Sequence, residues 1–191
     1  MTVTGTTQPP RAAGTIWHTT VPSPLGELLL ISDGVALRGL GMQRGPRPTR
    51  VDATWVQSDS PFSAVKAQLN QYFAGERTAF DLPVVLHGTP FQLRVWAALQ
   101  EIPYGTTVSY GELARRIGRP LGSRAVGLAN GRNPVSIIVP CHRVIGADGS
   151  LTGYGGGLDR KRLLLDLEGG VVAGSSHQLR FTGLDAALGR G

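Results

Sequence analysis

The apolar positions along the chain change their period after the first quarter. Between residues 15 and 42 they fall in short, nearly continuous runs, Thr15–Val21, Glu27–Ser32 and Val35–Met42. Runs of this length, separated by Gly26 and by Asp33-Gly34, predict three strands joined by tight turns. From Phe62 the spacing turns helical, and Phe62, Val65, Leu69, Tyr72 and Phe73 share one face. Ser60-Pro61 reads as the start of that helix, with serine as N-cap and proline in the first turn, and Gly75 as its end. Phe80–Leu86 reads as a short strand or an extended crossover. After Thr89-Pro90 a second helical pattern places Phe91, Val95, Trp96, Leu99 and Ile102 on one side. A turn at Pro103–Thr106 follows.

The next elements are shorter. Ser109 with Glu112 three residues later is the pattern of a capping box and opens a helix to about Ile117. Gly118–Gly122 makes a tight connection, and Ser123–Asn130 forms a second short helix ended near Gly131. Two short helices joined this way read as a helix-turn-helix. Ser136–Val139 is apolar and rich in β-branched residues, and runs into Pro140-Cys141-His142-Arg143. Asp148-Gly149 is a turn. Gly153–Gly157 sets four glycines around Tyr154, a loop suited to close approach. Leu158–Glu168 is the last helix, with Leu163, Leu164 and Leu167 facing inward. The expected fold class is α+β: a small N-terminal α/β domain at residues 15–86, then a mostly helical domain with a helix-turn-helix at 87–170. Residues 1–14, rich in Thr, Pro and Gly, are expected to be disordered. Residues 171–191 form a tail without a clear pattern.

Charge and cysteine count narrow the chemistry. The 191 residues carry 19 Lys and Arg against 13 Asp and Glu, a formal charge of +6. Arginine supplies 17 of the 19 cations, which suits bidentate contacts to phosphate or base edges. No basic residue precedes Arg11 and no apolar run follows it, against a signal peptide. Stretches such as Val135–Pro140 are too short to span a bilayer, so the expected location is cytoplasmic and free of membrane. The single cysteine rules out an intrachain disulfide, a zinc finger or an iron–sulfur site. The glycine loop does not follow a strand as a dinucleotide motif would, and no cofactor is expected.

Cys141 therefore draws attention as the only thiol. A lone cysteine is most often a small buried hydrophobe. Here a proline fixes the turn before it, His142 adjoins it, and Arg143 adds positive charge nearby. A thiolate needs such help, because a free cysteine is mostly protonated at neutral pH. A base oriented by a carboxylate would complete a nucleophile relay. The residues alone do not choose that carboxylate.

Pro140-Cys141-His142-Arg143-Val144 resembles the active-site motif of the O6-alkylguanine-DNA alkyltransferases. The resemblance extends over Thr89-Pro90-Phe91, Val108-Ser109-Tyr110, Ser123-Arg124-Ala125-Val126-Gly127 and Arg132-Asn133-Pro134-Val135. It continues to Gly153-Tyr154-Gly155-Gly156-Gly157-Leu158 and Glu168-Gly169, in family order and spacing. Residues 15–86 fit the family's more variable N-terminal domain.

The resemblance implies roles. Cys141 accepts the alkyl group from guanine O6, His142 is the base, acting through a water, and Glu168 orients it. Asn133 steadies the turn that carries the cysteine, and Tyr110 donates its phenol proton to the departing guanine. Arg124 enters the duplex where the damaged nucleotide has left, with Ser123, Ala125 and Arg132 beside it on the DNA. The base pocket takes Tyr110, Pro140, Val144, Tyr154, Gly155 and Gly156. Position 155 is glycine where some members have serine, which removes a side-chain contact. The resemblance also implies minor-groove entry, whereas a helix-turn-helix by itself suggests the major groove. Some members hold zinc in the N-terminal domain through cysteine and histidine. This chain has no cysteine there, so no metal is expected, and His18, His87 and His177 read as incidental.

The implied partner is double-stranded DNA carrying O6-alkylguanine, met by a monomer. Three other readings compete: a relative that binds lesions without repairing them, a thiol-sensing helix-turn-helix regulator, and a cysteine hydrolase. The first lacks an acceptor cysteine. The second has no use for Tyr110, Asn133 and Glu168 together. The third has no separate oxyanion-hole signal.

Overall fold

The computed structural model describes residues 14–169. The readings made for residues before 14, for His177 and for the 171–191 tail lie outside the described residues. Strands β1 (Trp17–Val21), β2 (Leu28–Ser32) and β3 (Leu37–Met42) form an antiparallel meander, and β4 (Val56–Gln57) adds to β1 in parallel. The order is β3-β2-β1-β4. Leu28, Leu29 and Leu30 of β2 are all fully buried. That explains the unbroken apolar run: a central strand covered on both faces needs no polar alternation.

Helix α1 (Ser63–Phe73) follows a 3₁₀ turn at Ser60–Phe62. Ser60 is therefore not an N-cap. Asp59 precedes the turn, and its carboxylate serves Thr19 and Lys66 rather than the helix end. Phe80–Leu86 pairs only through a single bridge, Val84 to Leu37, so it is an extended crossover.

Helix α2 (Pro90–Gln100) has a full capping box, made by Thr89 and Gln92. At α3 (Tyr110–Arg116) only half of the expected box forms. Ser109 accepts from the Glu112 N–H, but the Glu112 carboxylate turns to Arg116 one helical turn ahead, at 2.7 Å. Helix α4 (Ser123–Asn130) completes the helix-turn-helix, and the Trp96 indole of α2 donates to Ala129 O at 2.9 Å. Strands β5 (Val108–Ser109) and β6 (Val144–Ile145) pair in parallel. Because β5 leads into Tyr110 and β6 leaves the Cys141–Arg143 turn, this short pairing sets the helix-turn-helix beside the thiol. In α5 (Leu158–Leu167) Leu164 and Leu165 are fully buried, while Leu163 and Leu167 are half-buried.

One apolar cluster unites the two halves, from Leu28, Leu40 and Phe62 to Trp96, Val126 and Val139. A bridge from Leu40 to Val135 ties β3 to the segment before Cys141. Among the described residues no helix is long and apolar enough to cross a membrane.

Candidate functional site

Cys141 opens a 3₁₀ turn, Cys141–Arg143, and is 4% exposed. The turn is held by asparagines. Asn133 donates to Val139 O at 2.7 Å and accepts from the Val135 N–H at 3.0 Å, bracketing the approach to the cysteine. Asn130 donates to Cys141 O at 3.3 Å. Between those anchors Ile137 sits at φ 73°, a left-handed conformation that costs a β-branched residue about 1–3 kcal/mol. The anchors on either side hold that strain next to the nucleophile.

Glu168 is the hub of the relay. Its Oε1 accepts from His142 Nε2 at 2.9 Å, Arg143 Nη2 at 2.9 Å and the Tyr72 hydroxyl at 2.7 Å. Its Oε2 accepts from Arg143 Nε at 2.8 Å and the Gly105 N–H at 3.3 Å. Gly105 lies at φ +73°, and a Cβ there would stand 2.8 Å from Glu168 O, so only glycine fits this approach. Burial alone would push the carboxyl pKa up, but His142 and Arg143 outweigh it and pull it down to about 2. An ionised carboxylate only accepts, so His142 Nε2 carries the ring proton and Nδ1 is left as the free base. Nδ1 is buried with no hydrogen-bond partner among the described residues.

The thiol and the imidazole are both neutral at rest. Burial pushes the Cys141 thiol above its usual value of 9.0, against a downward pull from Asn133 and from the Lys161 charge. Burial pushes His142 below 6.5, against the Glu168 hydrogen bond and charge. Arg143, expected to lend its charge to the thiol, is committed elsewhere: two bonds go to Glu168 and a third, at 2.6 Å, to Ile102 O. The cation that acts on the sulfur is Lys161. It is fully buried, its ammonium donates to Val144 O at 2.5 Å and Thr152 O at 2.6 Å, and burial lowers its pKa to about 8.

Tyr110 caps the far side. Its hydroxyl lies 3.1 Å from Thr152 O and 3.3 Å from Gly153 O, and burial raises its pKa, so the phenol stays a proton donor. A Cβ at Gly153, itself at φ +54°, would stand 3.2 Å from that hydroxyl. Tyr110, Ser123, Arg124 and Gly153 line an outer cleft of about 560 Å³. Arg124, Ala125 and Arg132 are exposed, and of these Arg124 lines the cleft. Cys141, Tyr154, Gly155 and Gly156 line an inner cavity of about 200 Å³, and Gly153 borders both. Val144 is fully buried in β6, and Pro140 borders a different cavity together with Tyr104 and Arg143. The structure thus pairs His142 with Glu168 immediately after Cys141 in the chain, sets Tyr110 on the outer cleft, and leaves Pro140 with a wall facing another cavity.

Sequence profiles of the 6-O-methylguanine DNA methyltransferase ribonuclease-like domain and DNA binding domain match residues 16–86 and 90–170. The methylated-DNA–protein-cysteine methyltransferase of Mycobacterium bovis is 56% identical over 154 residues, covering 80% of this chain and 92% of the relative. The chain belongs to the O6-methylguanine DNA methyltransferase family. The methylated-DNA–protein-cysteine methyltransferase of Methanosarcina acetivorans is 51% identical over 154 residues, 81% of this chain and 99% of its own length. The crystal structure of Mycobacterium tuberculosis OGT in complex with DNA is similar at a TM-score of 0.76 and 55% identity, covering 80% of this chain and 92% of that one.

Three residues of this family member's site were not singled out in the sequence: Tyr72, Gly105 and Lys161. Tyr72 comes from α1, 96 positions before the carboxylate it bonds, and reads in sequence as one more apolar face position. A lysine at the start of a leucine-rich helix carries no sign that it will be buried. Only the four glycines around Tyr154, just before α5, mark a segment suited to close packing. Among the described residues no group of three or more His, Cys, Asp or Glu is placed to hold a metal.

Proposed function

We propose that this chain repairs DNA by moving an alkyl group, chiefly methyl, from O6 of guanine in duplex DNA onto Cys141, once per molecule. The observation that carries this reading is the buried His142–Glu168 pair next to Cys141 in the chain, in which the carboxylate fixes the imidazole proton on Nε2 and leaves Nδ1 free. The thiol proton passes through a water to Nδ1, and Glu168 stabilises the imidazolium. The sulfur attacks the alkyl carbon, an S–C bond forms and the C–O6 bond breaks with its electrons going to guanine. Tyr110 gives its phenol proton to the leaving base, and the phenolate and imidazolium re-equilibrate through solvent. Residues 15–86 and 87–170 act as the two domains of a cytoplasmic monomer, and the base enters past Tyr110 from the Arg124 cleft.

The product is a thioether. The chain has no second thiol to take the group onward. A time course with excess DNA labelled in the O6-methyl carbon is expected to plateau at about one methyl per protein, with the mass gain on the Cys141 peptide. Turnover beyond one equivalent overturns the reading.

Arg124 gives a second test. Duplex DNA hides O6 in the base stack, and extrusion costs a few kcal/mol. Arg124, exposed on the first turn of α4 at the cleft edge, fills the gap and opposes the base's return. Arg124→Ala is expected to slow repair of duplex DNA by roughly tenfold to a hundredfold, the rate equivalent of part of that extrusion energy. Reaction with free O6-alkylguanine needs no extrusion and stays near the wild-type rate. Equal losses on both substrates would assign Arg124 a structural or chemical role instead.

A further inference from the structure

Arg124, Gly127 and Leu128 of α4 line the outer cleft. Their spacing of i, i+3 and i+4 continues at i+7 to Gly131, the C-cap, which keeps helical dihedrals at φ −70° and ψ −8°. Gly131 thus stands on the same face as Arg124, about 10 Å further along the axis. A glycine gives this stripe no side chain of its own at its end, and another part of the chain supplies one. Arg47, on the loop after β3, donates from Nη1 to Gly131 O at 3.1 Å. A Cβ on Gly131 would stand 3.1 Å from the same Nη1, so the guanidinium lies where a side chain at 131 would project. Four of its five N–H groups remain for other acceptors. Arg47 and Arg124 are both exposed, and neither pairs with a carboxylate among the described residues. Between them on the stripe, Leu128 is 60% exposed.

The loop is braced rather than loose. The Arg47 N–H donates to Gly155 O at 3.1 Å, and the Thr49 N–H to Met42 O at 2.8 Å. From α5, Arg160 donates to Arg44 O at 2.9 Å, Gly156 O at 2.7 Å and Leu25 O at 2.6 Å. Pro46 and Pro48 flank Arg47 and restrict its backbone. A cation held this way loses little freedom on binding. Residues 43–51 contain Arg44, Arg47 and Arg50 and no acidic residue.

From this placement we infer that Arg47 is a DNA contact contributed by the N-terminal half, its guanidinium taking a backbone phosphate of the duplex whose base enters past Tyr110. The inference rests on the alkyl-transfer reading for the identity of the duplex, and it extends the interface beyond the helix-turn-helix. The grooves of DNA are about 6 and 12 Å wide. With Arg124 set in the base stack, a group about 10 Å away lies at the wall of either groove and not over the base edges. The contact therefore adds affinity and fixes register, and it carries no base identity.

The test measures binding by fluorescence anisotropy to a duplex with one O6-methylguanine, in a Cys141→Ala background so that the register is fixed and no methyl moves. Arg47→Met is expected to weaken binding by roughly threefold to tenfold and to flatten the slope of log affinity against log salt by about one, the share of one phosphate. Arg47→Lys keeps the charge and should keep the slope. Arg47→Gln keeps a donor for Gly131 O without the charge and should bind as weakly as Arg47→Met. Neutral methylphosphonates placed singly along both strands should reveal one position whose neutralisation weakens binding when Arg47 is present and adds nothing in Arg47→Met. Such non-additivity marks a direct contact. Unchanged affinity and slope in Arg47→Met overturn the proposal. Recovery by Arg47→Gln makes Arg47 an anchor of the helix end and also overturns it, as does a scan in which every position keeps its full effect in Arg47→Met. The alkyl-transfer reading is tested apart, with Cys141 in place: a protein that shows the Arg47 coupling and takes up no methyl keeps the phosphate contact and loses that reading.

Discussion

Replacing Cys141 by alanine is expected to abolish alkyl transfer and to leave DNA binding largely intact. The two halves of this expectation rest on different physics. Transfer to carbon needs a soft nucleophile, and the relay that Glu168 and His142 build serves one atom, the Cys141 sulfur. No other thiol exists in the chain to substitute for it. DNA affinity is expected to come from phosphate contacts by exposed arginines, whereas Cys141 is only 4% exposed. Removing one buried heavy atom costs about 1 kcal/mol of stability, too little to unfold the domain. Label transfer should fall to background while binding, followed by fluorescence anisotropy, keeps its affinity and its decline with salt. Residual label on another residue would move the acceptor elsewhere. A parallel collapse of binding would make Cys141 structural.

What the sequence disclosed and what it hid divide along the range of the contacts. The strands, the helix starting at Thr89-Pro90 and the helix-turn-helix were legible because their signals are local: apolar period, proline in the first turn, glycine at the end. Local signals also misled where two local partners compete. Glu112 satisfies the spacing for a capping box and the spacing for an i,i+4 ion pair with Arg116, and the ion pair forms. Ser60 stands before a proline like an N-cap, yet the helix proper begins three residues later. Cys141 and His142 stood out in the sequence because they adjoin and match a motif. Their electrostatics were not. Arg143 is next to His142 and looks like a charge for the thiol, but its side chain turns to Glu168 and Ile102 O. The charge that acts on the sulfur comes from Lys161, and the hydroxyl that steadies Glu168 comes from Tyr72. Both contacts exist only once the last helix and the first one close on the same core, which no spacing along the chain encodes. The Arg47 loop is exposed, as its proline–arginine composition suggests, and what that composition does not encode is its bonds to Gly131 O and Gly155 O.

Glu168→Gln should combine the largest loss of stability with a large loss of rate. Five N–H or O–H groups converge on the two carboxylate oxygens, and the side chain is fully buried. Glutamine offers one acceptor oxygen and turns an NH₂ toward donors, so Arg143 keeps a buried charge without a counter-ion. Breaking a buried pair in this way costs about 3–5 kcal/mol. The pH dependence carries the signature. The folded pKa of about 2 lies below the ordinary 4.5, so ionised Glu168 contributes stability that is fully present above 4.5 and is lost as pH falls toward 2. Wild type should show that acid limb in chemical denaturation, and the variant should lack it. His142 acts in the same direction at higher pH, because its depressed pKa makes folding less favourable as pH falls below 6.5, and that contribution remains in both proteins. The rate falls for a related reason. Without the carboxylate the Nε2 tautomer is no longer enforced, and an imidazolium has no anion beside it, so Nδ1 takes the thiol proton poorly. Since burial holds the Cys141 thiol above 9.0, transfer at neutral pH depends on that base. Raising the pH ionises the thiol without help, so the variant's rate should climb toward wild type on the alkaline side. An unchanged pH–rate profile in a folded Glu168→Gln protein would remove Glu168 from the mechanism and leave it a purely structural partner of Arg143.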